Sequence, residues 1–221
     1  MFGRLICLVG FMALFVSENA VADIIAQNTS FTNATILTGF SDGQSVTTPT
    51  GGPWDNIQFN FEQCTNPSGT SCLSTTTNTP FALGDLFLLS QIYDGLPSAL
   101  SSATPGFIAE ATTTTGGVWT FAPGVTLDSG TQYFFYMDTA LNGPEILYST
   151  ANPYAGGQEF EANSGNGPTY APDDPILANV DHVFTLAGTP VPEPATAPLI
   201  VFVVAALAGA QTLRRCRKSN A

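Results

Sequence analysis

Turn-forming clusters interrupt the middle of this chain too often to leave room for long helices. They are Ser41-Asp-Gly43, Pro49-Thr-Gly-Gly-Pro53, Asp94-Gly95, Gly116-Gly117, Ser129-Gly130, Asn142-Gly-Pro144 and Gly156-Gly157. Glycine and asparagine supply the positive φ, and proline the fixed φ, that reverse a chain. Between these clusters apolar residues recur with the two-residue period of a strand. In Asp55–Gln63, Ile57, Phe59 and Phe61 alternate with Asn56, Gln58, Asn60 and Glu62, which describes a strand with one wet face. Leu86–Tyr93 and Gln132–Asp138 are apolar on both parities, as central strands are. Thr35–Phe40, Phe107–Thr112, Val118–Phe121, Glu145–Ser149 and His182–Leu186 are shorter candidates, and Ala151–Pro175 reads as a long loop. The pattern predicts an all-β fold, an antiparallel β-sandwich that is jelly-roll-like or Ig-like.

The distribution of charge then limits what such a sandwich can bind. The chain has 221 residues, 17 acidic and five basic, for a formal net charge of −12. All the basic residues lie at its ends: Arg4 at one, and Arg214, Arg215, Arg217 and Lys218 at the other. Residues 23–190 therefore hold 15 acidic groups and no Lys or Arg. A polyanion without cations repels phosphate backbones, so nucleic acid is excluded as a partner. Phosphate loops and Schiff-base sites that need a Lys, and carboxylate clamps that need an Arg, are excluded with it.

Both ends read as addresses. Arg4 followed by the apolar run Leu5–Val16 and by Ala20-Val21-Ala22 has the order of a signal peptide, residues 1–22, with cleavage before Asp23. At the other end Val191-Pro192-Glu193-Pro194 precedes an uncharged stretch over about residues 195–213. As a helix rising about 1.5 Å per residue, that stretch matches the hydrocarbon core of a bilayer. The basic tail 214–218 holds its end in the cytoplasm. Residues 23–190 are thus expected to form one extracytoplasmic domain, and residues 191–221 a sorting and anchor region.

Val-Pro-Glu-Pro, a single hydrophobic helix and a terminal Arg-rich cluster, in that order, resemble the PEP-CTERM sorting region of Gram-negative bacteria that produce exopolysaccharide. The resemblance covers about 30 residues and implies an exosortase as partner, with processing near Pro192-Glu193-Pro194. It further implies an inner-membrane anchor before processing and a cell-surface or matrix location afterwards. A second resemblance rests on Ile57–Phe61, Leu86–Tyr93 with Asp94-Gly-Leu-Pro97, Trp119-Thr-Phe121, and Gly124-Val-Thr-Leu127-Asp-Ser-Gly-Thr131-Gln-Tyr133. These are similar to the choice-of-anchor R class of surface domains, which are β-sandwich modules carried on interchangeable anchors and have no assigned catalytic residues.

Cys64 and Cys72 are the two cysteines between the addresses, separated by a turn-prone loop. In an oxidising compartment they are expected to form a disulfide that stabilises the domain by about 2–3 kcal/mol. His182 is the single histidine, on one parity with Phe184 and Leu186, and no Gly-x-Ser-x-Gly elbow accompanies it. It reads as a packed histidine, and one His beside one disulfide leaves no zinc site by count. Glu159 and Glu161 share a side of an extended chain and Asp173-Asp174 are adjacent, the raw material for a carboxylate-pair glycoside hydrolase. The same groups suit calcium better: Asp173 and Asp174, with Asp42 or Asp128, offer hard oxygen ligands, although no EF-hand loop is present. Trp54 and Trp119, if exposed, are candidates for stacking on sugar rings, but Trp119 is better placed to join Phe121 in the core. The expected protein is a non-enzymatic structural or adhesive component of the cell surface or exopolysaccharide matrix. A calcium-dependent carbohydrate-binding module is the second reading, and a glycoside hydrolase the third.

Overall fold

The computed structural model describes residues 22–30, 33–34, 40–64, 67–68, 71–72, 75–76, 84–112, 118–139, 145–149, 153–163, 167–172 and 180–191. In chain order the strands are β1 (Asp23–Asn28), β2 (Asn33–Ala34), β3 (Phe40–Thr47), β4 (Trp54–Phe61), β5 (Gln63–Cys64), β6 (Pro67–Ser68), β7 (Ser71–Cys72) and β8 (Thr75–Thr76). They continue as β9 (Asp85–Leu89), β10 (Phe107–Thr112), β11 (Val118–Thr120), β12 (Gln132–Met137), β13 (Glu145–Ser149), β14 (Glu159–Asn163), β15 (Gly167–Pro172), β16 (Asp181–His182) and β17 (Phe184–Pro190). Helical structure among the described residues is one 3-10 turn, Pro97–Ala99. No helix among them is long and apolar enough to cross a membrane, and the helix expected over residues 195–213 lies outside the described residues.

Antiparallel pairing builds a four-stranded sheet, β1-β17-β4-β11, and a six-stranded sheet, β10-β9-β12-β3-β14-β15. Their facing sides interlock. Ile57, Phe59 and Phe61 of β4, with Trp119, Phe184 and Leu186, meet Leu86, Leu88, Tyr133, Phe135 and Met137 in one buried cluster. Phe59 stacks on Phe135 with ring centroids 4.3 Å apart and planes 19° apart. Such a contact stabilises by about 0.5–1.5 kcal/mol beyond the area it removes from water. The expected alternation of Asp55–Gln63 is therefore real, and its apolar parity is the inner face.

The other parity of the central strands is buried too. Phe87 and Leu89 of β9, with Phe134 and Tyr136 of β12, pack with Leu100, Phe160, Ala162 and Tyr170 on the outer face of the six-stranded sheet. This second layer explains why β9 and β12 are apolar throughout, as strands covered on both sides must be. Leu86–Tyr93 is shorter than expected: the strand stops at Leu89, and Ile92 is 56% exposed.

Two expected irregular segments are strands. Ser41-Asp-Gly43 lies in the middle of β3, where Gly43 pairs with Tyr136 on one side and Phe160 on the other. A Cβ on Gly43 would sit 2.5 Å from the Tyr136 ring, so glycine serves here to let an aromatic ring cross the backbone. The expected loop Ala151–Pro175 contains the hairpin β14–β15, because Phe160, Ala162 and Tyr170 bury themselves in the second layer. Trp54 is not exposed: it is buried, with its backbone bridged to Leu127. Of the candidate Thr35–Phe40, residues 35–39 lie outside the described residues.

The run Leu127-Asp-Ser-Gly130-Thr131-Gln-Tyr133 has a physical role at the entry to β12. Gly130 takes φ +65, and the Tyr133 hydroxyl accepts the Asp128 backbone N–H at 2.8 Å. Thr48 adds a second tie, its hydroxyl accepting the Thr131 N–H at 3.0 Å. This is a tyrosine corner, which fixes where the chain enters the aromatic strand.

Candidate functional site: a buried histidine between two carboxylates

At one end of the sandwich the core turns polar. Asp42 and Gln44 share a face of β3 with Val46, because successive side chains alternate. The β3–β14 register sets Asp42 opposite Glu161 and Gln44 opposite Glu159, which makes Asp42 and Glu159 diagonal neighbours on adjacent strands. His182 arrives on β16, separated only by Val183 from the start of β17 in the facing sheet. Its Nε2 lies 3.3 Å from Glu159 Oε1 and 3.5 Å from Asp42 Oδ1. All three side chains are buried, His182 to 2% exposure and each carboxylate residue to 5%.

The histidine is held by its backbone rather than by its ring. Gln44 Oε1 accepts the His182 N–H at 3.1 Å, and Asn28 Nδ2 donates to the His182 carbonyl at 2.8 Å. Gln44 Nε2 donates in turn to Asp181 Oδ1 at 3.1 Å, and Asp181 Oδ2 accepts the Tyr154 N–H at the same distance. The Phe61 ring stands edge-on to the imidazole, centroids 5.1 Å apart. Neither ring nitrogen of His182 makes a hydrogen bond of normal geometry.

Burial dominates the electrostatics. Loss of hydration pushes the Asp42 carboxyl up to about 7 and lowers the His182 imidazole to about 3. Asp181 is raised to about 6 by burial, opposed by its hydrogen bonds from Gln44 and Tyr154. The imidazole is accordingly neutral at physiological pH, with a nitrogen lone pair available to a ligand.

The structure brings together three residues that the sequence treated separately: Asp42 from the calcium set, Glu159 from the carboxylate pair, and His182 as a packed histidine. The packing reading of His182 agrees with its burial. The count that left no zinc site considered histidine and cysteine but had no means of placing carboxylates beside the ring. Glu161 is half-buried and outside the cluster, and Asp128 is exposed at the tyrosine corner. Asp173 and Asp174, as well as the side chains of Cys64 and Cys72, lie outside the described residues, and so do Ala20, Pro192, Glu193, Pro194 and the basic tail 214–218. Asp23 opens β1, and Val191 follows β17 with its N–H donated to the Pro53 carbonyl at 2.8 Å. Trp119 is fully buried, its indole N–H donating to the Gly84 carbonyl at 3.1 Å, so neither tryptophan presents a face to a sugar.

No family model matches this chain, and searches of curated proteins and of solved structures return no match.

Proposed function

We propose that this chain is an exported protein of the bacterial cell surface or exopolysaccharide matrix. It is delivered by an N-terminal signal peptide and sorted by an exosortase through Val191-Pro192-Glu193-Pro194. The observation that carries the reading is the pairing of the first and last strands. β1 starts at Asp23, the residue after the expected signal cleavage, and β17 ends at Pro190, directly before the sorting motif. The two lie side by side, Asp23 opposite Gly188 and Asn28 opposite Phe184. A sandwich closed in this way tolerates cleavage on both flanks, because neither cut removes a residue from the sheet.

The finer fold we assign is a jelly roll. Leaving aside the short strands and the segment β13–β16, eight strands remain: β1, β3, β4, β9, β10, β11, β12 and β17. Their neighbours are β1-β17-β4-β11 in one sheet and β10-β9-β12-β3 in the other. Along these eight strands the chain crosses to the other sheet at every step except β9 to β10, which is the winding of a double Greek key. Jelly rolls serve widely as binding and structural modules, and a surface polyanion without catalytic cations suits a structural or adhesive role.

The test is expression of the full chain in hosts with and without an exosortase, followed by intact-mass analysis. The reading requires an N-terminus at Asp23 in both hosts, and C-terminal shortening near Pro192–Pro194 only where the exosortase is present. Replacing Pro192-Glu193-Pro194 with alanines should abolish that shortening. An unprocessed C-terminus in the exosortase host would reduce the tail to a simple membrane anchor.

A further inference from the structure

Two carboxylates and an imidazole converge in the buried interior of a chain that has no Lys or Arg between Arg4 and Arg214. Among the described residues there is no Lys or Arg, so His182 is the one described side chain that could bring a positive charge to the Asp42–Glu159 pair, and burial favours the neutral form of that ring. The donor atoms lie within 4.8 Å of one another. The His182 Nε2 separations of 3.3 and 3.5 Å exceed the roughly 2.7–2.9 Å of a charge-assisted hydrogen bond. They match the edge of a tetrahedron whose ligands stand ~2.0–2.1 Å from a central ion, about 3.3 Å. Independently of the cluster, both nitrogens of this buried ring lack a hydrogen-bond partner, a state that few native polar groups adopt.

We propose that Asp42, Glu159 and His182 form a structural site for a divalent transition-metal ion of the zinc class. A doubly charged ion balances two carboxylates beside a neutral imidazole, leaving the buried site with no net charge. The imidazole selects zinc-class ions over calcium and magnesium, which favour oxygen donors alone. The three ligands come from β3, β14 and β16, separated in sequence by more than a hundred residues at the widest. The ion ties the six-stranded sheet to the segment that leads into β17. It binds the folded chain and not the unfolded one, so its binding free energy adds to stability. This inference goes beyond sorting and surface delivery and does not depend on them.

The experiment uses the full chain, stripped with chelator and dialysed against metal-free buffer. Zinc is then added, and bound metal is measured by elemental mass spectrometry alongside thermal unfolding. The expected result is one tightly held zinc per chain and a rise in Tm of about 5 °C or more at saturating metal, with calcium at the same concentration giving no comparable rise. His182→Phe, which replaces the ring by an apolar one of similar shape, should lose both the bound zinc and the Tm response. Asp42→Asn serves as the second variant, because it removes a buried charge without changing volume: its metal-free form should be as stable as the parent, yet unresponsive to zinc. Zinc retained in both variants would locate the ion elsewhere, at the cysteines or the acidic surface, and overturn the proposal. Failure of the parent chain to bind zinc would overturn it as well, and would leave Asp42 neutralised by a proton.

Discussion

The side-chain carbonyl of Gln44 accepts the backbone N–H of His182 at 3.1 Å, joining residues 138 positions apart in a fully buried contact. Because Gln44 also donates to the Ser45 carbonyl and to Asp181, one amide fixes the height at which the histidine enters the core. Gln44→Leu keeps the approximate shape and leaves the His182 N–H without its acceptor. The expected cost is about 1–3 kcal/mol, which for a domain of this size lowers Tm by several degrees. Chemical denaturation with an unchanged m-value checks it, and a neutral substitution would show that the amide does not position His182.

The tyrosine corner gives a second test. Tyr133→Phe retains the ring and removes only the hydroxyl that accepts the Asp128 N–H. Destabilisation of about 1–2 kcal/mol is expected, seen as a lower urea midpoint. Thr48→Ala, which removes the neighbouring tie to Thr131, should combine with it non-additively, because both hold the same turn. Strict additivity in a double-mutant cycle would mean that the two ties act on separate structures.

Salt should stabilise this domain. With 15 acidic groups and no Lys or Arg in residues 23–190, its long-range electrostatics are repulsive. Sodium chloride shortens the reach of that repulsion to about 8 Å near physiological ionic strength. Tm should therefore rise steadily from low salt towards that range and then level off. A Tm that falls over the same range would contradict the electrostatic account.

Alkaline pH should unfold the domain through its buried phenols. Burial, the largest influence, raises Tyr136 above the ordinary tyrosine value, against the lowering effect of the Tyr93 N–H that its hydroxyl accepts. A raised folded-state value means that the native form holds its proton longer than the unfolded form does. The contribution is therefore constant below about pH 10 and is lost as pH rises further, at about 1.4 kcal/mol per pH unit for each such group. Stability measured by denaturant titration should decline above that pH, and Tyr136→Phe should make the decline shallower. An identical slope in the variant would place the titrating group elsewhere.

The elements legible in the sequence are those whose pattern is dictated by burial on a known number of sides. β4 alternates because one of its faces is wet for most of its length, and β9 and β12 are apolar throughout because a second layer covers them. The misread segments are polar or glycine-rich and still buried. Ser41-Asp-Gly43 looks like a turn, yet it forms strand because Tyr136 lies across Gly43 and Phe160 pairs beside it. The β14–β15 hairpin carries few apolar residues, and its stability comes from the neighbours those residues meet.

By itself the sequence determined the absence of cations from residues 23–190, the strand-and-turn character of that stretch and the addresses expected at its ends. Those properties follow from composition and local periodicity, which need no partner in space. Only the tertiary structure decided that Asp42, Glu159 and His182 meet. Their meeting depends on the β3–β14 register and on the entry of β16 beside them, and a one-residue slip in that register would turn either carboxylate to the opposite face. A cluster assembled across three strands leaves no local spacing to read. The missing Lys and Arg, visible from the outset, acquire their sharpest consequence there: two buried carboxylates whose charge no described side chain other than His182 can balance.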